Sequence, residues 1–330
     1  MNDDAPLVSV LLMAYQQQAT IADAIRGALA QTYSPLEIVI SDDASSDATW
    51  AEIERAVAGY AGPHLLVLNR NAANLGIGAH LNHLVALSHG ELLVVAAGDD
   101  VSLPQRCARL VDAWRAADRK PDLIASALVD LDAAGNTHAT IMPSDLASYR
   151  GAADWVARPP FVVGAAQAWT RRVFEQFGPL PPGSVAEDRL MVLRAILAGG
   201  ALTLPEPLVQ YRRGGLSHRR RALHARDVVA RLRSNNRHAL VELPQMLADA
   251  QRAGQRAAVE AALGGELERE RFVHALFAAR GFGERWRAVA AHRQVPLAQR
   301  ARLFVYAACP VLLAPLFALK RWVARERRAA

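Results

Sequence analysis

Val8-Ser9-Val10-Leu11-Leu12-Met13-Ala14-Tyr15 is a continuous apolar run closed by an aromatic residue, with valines at its start. A stretch apolar on both faces fits a strand buried inside a parallel sheet better than one with a wet side. The pattern then alternates. Thr20 and Asp23 read as a helix start, with Ile21, Ala24, Ile25, Ala28 and Leu29 on one face. Pro35 ends that region, and residues 36–40 read as a second short strand. Thr49 and Glu52 have capping-box spacing, 65–68 is a third strand, 77–87 a helix stopped by Gly90, and 91–97 a fourth strand. This spacing predicts an α/β fold, a mostly parallel sheet with helices on both faces.

Such a sheet binds ligands beyond the carboxyl ends of its strands. Asp42 and Asp43 follow the second strand, and Asp99 and Asp100 follow the fourth, so both acidic pairs are expected on one rim. Like charges gathered there repel unless a divalent cation or a donor group relieves them.

Composition sets the outer limits. The 330 residues are 52% hydrophobic and 21% charged, which excludes a disordered chain and suits one large domain with an appendage. Two cysteines, Cys107 and Cys309, rule out a disulfide framework and favour a reducing compartment. The acidic, polar opening argues against a signal peptide, so a cytoplasmic protein is expected. The net charge of +6 is concentrated late, with arginines crowding the chain beyond Tyr211. No aromatic interleaving or nucleic-acid motif accompanies them, and no nucleic-acid partner is expected.

The ordered motifs resemble an inverting glycosyltransferase of family 2, of the kind that builds bacterial surface polysaccharides. They are the opening run to Tyr15, Ser41-Asp42-Asp43-Ala44-Ser45-Ser46-Asp47, Asn74-Leu75-Gly76 with Asn82, Ala96-Ala97-Gly98-Asp99-Asp100, Ala186-Glu187-Asp188, and Pro207-Leu208-Val209-Gln210-Tyr211-Arg212-Arg213. The resemblance covers about residues 6 to 220. It implies the GT-A fold, a Rossmann-like sheet that binds a nucleotide diphosphate sugar, joined to an acceptor-binding part.

The resemblance also implies roles. Asp188, with Glu187 beside it, matches the catalytic base that takes the acceptor proton. Ala14 and Tyr15 would lie at the nucleotide base, Asp43 would accept a hydrogen bond from it, and Asn74 would hold the nearby loop. A uracil imide N–H suits Asp43, so a UDP-linked donor is expected. Asp99 and Asp100 match the ribose and metal signature and would hold Mg²⁺ or Mn²⁺, although Ala97 replaces the first acid of the usual Asp-x-Asp. Arg212 would contact the leaving diphosphate, and Gly214-Gly215-Leu216-Ser217-His218 stands where the family often has a His and a Ser. Ala97 and Gly214 keep one alternative open, an inactive, membrane-associated scaffold of the same fold. A phosphorelay receiver lacks its lysine here, and a nucleotidyltransferase lacks its glycine-rich phosphate loop. His80 and His83 share a helical face without a zinc motif and read as surface histidines.

The expected organisation is a transferase domain at 1–220 and a helical, arginine-rich region at 221–330, broken at Gly254, Gly264-Gly265 and Gly281. Residues 303–319 form the one long apolar run, bounded by Arg302 and by Lys320-Arg321. As a helix it would span about 26 Å against a hydrocarbon core of about 30 Å, too short to cross comfortably. Basic flanks suggest a segment lying on an anionic membrane, at the cytoplasmic face of the inner membrane. A saccharide or lipid-linked saccharide is the acceptor this implies.

Overall fold

The opening apolar run becomes β1 (Val8–Ala14), buried at every position except the half-buried Met13. The computed structural model describes residues 4–132, 134–212 and 225–309. After β1 come α1 (Ile21–Leu29), β2 (Leu36–Asp42), α2 (Thr49–Val57), β3 (Leu65–Arg70), α3 (Ile77–Leu87) and β4 (Leu92–Ala97). Then follow β5 (Val101–Ser102), α4 (Arg106–Ala116), β6 (Leu123–Leu131), β7 (Thr137–Ile141), α5 (Ala152–Ala157), β8 (Gln167–Thr170), α6 (Arg171–Phe177), α7 (Glu187–Leu197) and β9 (Ala201–Arg212). One sheet runs in the order β3-β2-β1-β4-β8-β6-β9-β5, with β7 added beside β6.

The ladder β3-β2-β1-β4 is parallel throughout, and β6 pairs β9 in parallel; β5, β7 and β8 pair their neighbours antiparallel. The fold is the mostly parallel α/β sheet that the sequence predicts. Alternate residues of β1 explain its two coats. Val8, Val10, Leu12 and Ala14 pack with Ile21 and Ile25 of α1, Ile53 of α2, and Leu110, Val111 and Trp114 of α4 in one core. On β1 and β2 also packs α3, with Leu81, Leu84 and Val85 buried. A fully buried ion pair, Arg194 Nε to Asp249 Oδ2 at 2.7 Å, fastens residues 249–258 to this first unit. Cys107 is buried, Cys309 is exposed, and both are free thiols.

Local signals misled at several boundaries. Neither Thr20 nor Thr49 caps a helix through its side chain. Thr20 Oγ1 instead donates to Gly98 O (2.9 Å), and Thr49 Oγ1 donates to Asp47. Gly90 is not the stop of α3, whose C-cap is Ser88. Its role is a close approach: a Cβ at Gly90 would lie 2.4 Å from Ser9 Oγ.

That approach belongs to a buried polar cluster at the opposite end of the sheet from the acidic rim. Glu37 accepts from Ser9 Oγ, the backbone N–H of His89 and that of Gly90 (3.1 Å), and lies 3.1 Å from His89 Nδ1. Burial alone would raise its pKa, but these donors together outweigh burial and hold it below the usual range. A carboxylate depressed in the folded state stabilises fully above its unfolded value, and that contribution is lost as pH falls through the lower folded value. Glu37→Ala is therefore expected to cost about 3 kcal/mol at neutral pH, because buried donors lose their acceptor. Urea midpoints should show the gap between wild type and variant narrowing below about pH 4.5; a gap independent of pH contradicts this assignment.

The second unit is helical and is built from α8 (Ala225–Arg252), α9 (Arg256–Ala278), α10 (Phe282–Ala291) and α11 (Leu297–Ala308), less the 249–258 turn. Its core gathers Phe272, Val273, Leu276, Ala288, Val295 and Leu303. Gly254 does break the helices, at φ +70°, and Gly281 precedes α10. Gly264-Gly265 does not: α9 runs through both. The apolar run predicted at 303–319 begins inside α11, with Leu303 only 1% exposed, and residues 310–319 lie outside the described residues. Among the described residues no helix is long and apolar enough to cross a membrane.

Candidate functional site

Three strand ends set the rim. Ala14 pairs Asp42 on one side of β1 and Met13 pairs Ala97 on the other, so β2 and β4 finish at the same edge as β1. Neighbouring strands stand about 4.8 Å apart, which separates the chain leaving β2 from that leaving β4 by roughly 10 Å. Asp43 follows β2 directly, and Gly98-Asp99-Asp100 follows β4 directly.

Asp43 is buried and organises the loop at 71–76. Its Oδ1 accepts from Asn71 Nδ2 (2.8 Å) and from the Leu75 N–H (2.9 Å), while Oδ2 accepts from the Gly76 N–H (2.9 Å). Gly76 sits at φ +75°, a region that strains residues with a Cβ. A carboxylate has about four acceptor positions, so one remains, on Oδ2. The Asp43 N–H donates to O of the buried Ala14 (2.9 Å), and the exposed Asn74 donates from Nδ2 to Asp43 O (3.3 Å). Tyr15, next to Ala14, is 47% exposed, so its ring faces solvent rather than filling a core.

Asp100 is 5% exposed, and among the described residues its carboxylate accepts one hydrogen bond, at Oδ1 from the Arg212 N–H (2.8 Å). Burial first, then the charge of Asp99, push Asp100 up to about 8, against the opposing pull of that N–H and of the Arg106 and Arg212 guanidiniums. Burial raises Asp99 as well. Adjacent carboxylates, one buried and one half-buried, that disfavour their own charge form a hard oxygen donor pair, and a divalent cation would relieve them. Among the described residues no group of three or more His, Cys, Asp or Glu side chains is placed to hold a metal, and Ala97 contributes no ligand. Two carboxylates with the remaining positions left to water and phosphate still match the way Mg²⁺ is commonly held. The Arg212 side chain is committed elsewhere, to Asp23 Oδ2 (2.9 Å); Arg213 and residues 214–218 lie outside the described residues.

Glu187 and Asp188 open α7, where Asp188 Oδ1 accepts from the Arg189 N–H (2.7 Å). Two joins tie this helix start and the segment before it to the sheet and α3. In the first, Arg106, 1% exposed, donates from Nη2 to Val95 O of β4 (2.9 Å) and to Ala165 O (2.8 Å), and from Nη1 to Ser102 Oγ of β5 (2.9 Å). Burial pulls Arg106 down to about 10, still cationic at neutral pH. Beside Ala165, a Cβ on Gly164 would lie 2.4 Å from Glu187 Oε1 and 3.7 Å from Asp188 Cβ. Glycine there lets the acidic helix start close upon the strand β8 that pairs β4. In the second join, Asn82 of α3 clamps Leu180, Nδ2 to O at 2.8 Å and N–H to Oδ1 at 2.9 Å, and the Gly78 N–H donates to Ser184 O (3.1 Å). The approach to α7 is thus pinned to α3, whose own approach is the loop bound by Asp43. Asp43 and the Asp99-Asp100 pair leave the sheet at one edge, and the two joins tie the start of α7 and the segment before it to β4 and α3.

Sequence reasoning missed Arg106, Gly164, Asn71 and the Thr20 hydroxyl, all of which act through partners distant in the chain. It also placed His80 at the surface. His80 is 3% exposed, with Nε2 2.7 Å from Ser41 Oγ, and burial lowers its pKa against the raising charges of Asp43 and Asp42.

Residues 9–147 match the family described as Glycosyl transferase family 2. The chain is 30% identical over 142 residues to "Putative glycosyltransferase EpsE" of Bacillus subtilis, an alignment covering 43% of this chain and 50% of that protein. It therefore spans about half the length of that relative. Among solved structures, S. aureus TarS 1-349 in complex with UDP-GlcNAc superposes with a TM-score of 0.52 at 16% identity, over 91% of this chain and 87% of that one. The mannosyltransferase PcManGT of Pyrobaculum calidifontis, in complex with GDP-Man and Mn²⁺, gives 0.53 at 18% identity, over 93% and 86%. At these identities the likeness is one of fold.

Proposed function

We propose that this chain moves a sugar from a nucleotide diphosphate sugar onto a saccharide or lipid-linked saccharide at the cytoplasmic face of a membrane, with inversion at the anomeric carbon. The single observation that supports the reading is that Asp43 and the Asp99-Asp100 pair leave β2 and β4 at one sheet edge, with the start of α7 and the segment before it tied to β4 and α3.

Asp188, aided by Glu187, receives the proton of the acceptor hydroxyl as its oxygen bonds to the anomeric carbon and the bond to the diphosphate oxygen breaks. One carboxylate suffices, because a single displacement inverts the centre without a covalent intermediate. Exclusion of water strengthens such a base. Ala14, Tyr15 and Asn74 surround the base of the donor, with Tyr15 offering a ring face. Asp43 selects it: one acceptor position remains on Oδ2, which matches the single N3–H of uracil, so UDP is the preferred nucleotide. Asp99 and Asp100 would hold Mg²⁺ or Mn²⁺, whose charge offsets that of the diphosphate. Arg212 positions Asp100 through its backbone N–H and adds positive charge nearby.

The test is incubation with a panel of UDP- and GDP-sugars and Mn²⁺, reading nucleoside diphosphate release and the anomeric configuration of the product by NMR. Release from UDP donors with an inverted product is expected. A retained configuration overturns the mechanism, and no release from any donor favours the inactive scaffold of the same fold.

A further inference from the structure

We infer that the α10–α11 hairpin is a docking face for an anionic lipid bilayer, a role separate from the acidic rim and independent of whether sugar is transferred. Phe282 and Trp286, one turn apart on α10, are 66% and 60% exposed although both are large and apolar. Their rings are parallel, 6.5 Å apart at 6°, and Phe304 of α11 stands edge-on to both, at 5.5 and 6.1 Å. Leu297, at the start of α11, is 68% exposed. A connected aromatic surface held this far into water by its own packing marks an interaction site rather than scattered surface residues.

Its surroundings choose the partner. Residues 280–309 carry Arg280, Arg285, Arg287, Arg293, Arg300 and Arg302 against one acid, Glu284. Both helices repeat one design. At 100° per residue, Phe282, Trp286 and Val289 share a stripe on α10, bordered by Arg285, with Arg287 about 130° round the helix on its polar side. Leu297, Ala301 and Phe304 share a stripe on α11, with Arg300 and Arg302 at the same two offsets. Arg287 and Arg302 are exposed and pair with no acid among the described residues. Apolar stripes bordered by arginines suit the boundary between acyl chains and phosphates, where aromatic rings also settle. A second copy of the chain would set these arginines against their own kind. An anionic lipid surface supplies the missing negative charge.

The test uses the full chain and sedimentation with vesicles, either phosphatidylcholine alone or phosphatidylcholine and phosphatidylglycerol in equal parts. Binding only to the anionic vesicles is expected, weakening as salt rises. Phe282→Ser with Trp286→Ser should lower partitioning by about tenfold or more. Arg287→Glu with Arg302→Glu should lower it by at least about fivefold per arginine. Circular dichroism melts and nucleotide-sugar binding of both variants should match wild type, since the altered side chains are exposed and lie in the second unit. Three results overturn the inference. They are equal vesicle binding by wild type and variants, which assigns the contact to residues 310–330; no vesicle binding by wild type; or a solution dimer that the aromatic variant dissolves.

Discussion

Asp188→Asn is expected to leave nucleotide-sugar binding within about twofold of wild type while turnover falls by about 10²–10⁴, the usual contribution of a general base. The amide keeps the shape and the Oδ1 that accepts from the Arg189 N–H, so the first turn of α7 should hold. It cannot take a proton at neutral pH. The loss should therefore appear in kcat with little change in KM, the mark of an interaction needed only in the transition state. Stopped turnovers with a UDP-sugar and saturating acceptor measure it. Near-normal turnover would remove Asp188 from the chemistry, and a parallel loss of donor affinity would make it a binding residue instead.

Asp100→Asn should act on the other side of the reaction. With Mn²⁺ present, donor affinity is expected to fall about a hundredfold, or roughly 3 kcal/mol. Without metal, variant and wild type should bind alike. The amide still accepts from the Arg212 N–H but no longer offers a charge to a cation. Stability should move the opposite way. Burial first, and the charge of Asp99 second, disfavour an ionised Asp100, so an amide that carries no such penalty is expected to melt at or above the wild-type temperature. Calorimetric melts beside donor titrations separate the two effects. A variant that loses both affinity and stability would make Asp100 a structural residue.

The two outcomes depend on how differently the parts of this fold announce themselves in sequence. β1 and β4 are buried and almost wholly apolar, and β2 is buried with an apolar Ile38-Val39-Ile40 centre, so all three read directly. The acidic residues at their ends inherit that clarity, because direction in a parallel sheet assigns each strand end to an edge. The capping residues failed for the opposite reason. Thr20 and Thr49 have the right spacing, but partners distant in the chain or on the loop before α2 claim their hydroxyls. Arg106 looks like a surface arginine until the fold places Val95, Ser102 and Ala165 around it. Gly164 carries no local signal at all, since its value lies in Glu187, 23 residues on. His80 and the Gly264-Gly265 pair show the same limit: tertiary packing buried the first, and helix continuity overrode the second.

Isothermal titration of a UDP-sugar with Mn²⁺ into wild type and the single variants Asp43→Ala, Asp100→Asn and Asp188→Asn examines the shared edge most directly. Binding by wild type and by Asp188→Asn, with marked weakening in the other two, is the predicted pattern. Equal binding by all four proteins, or none by wild type, would show that these carboxylates do not form a nucleotide-sugar site.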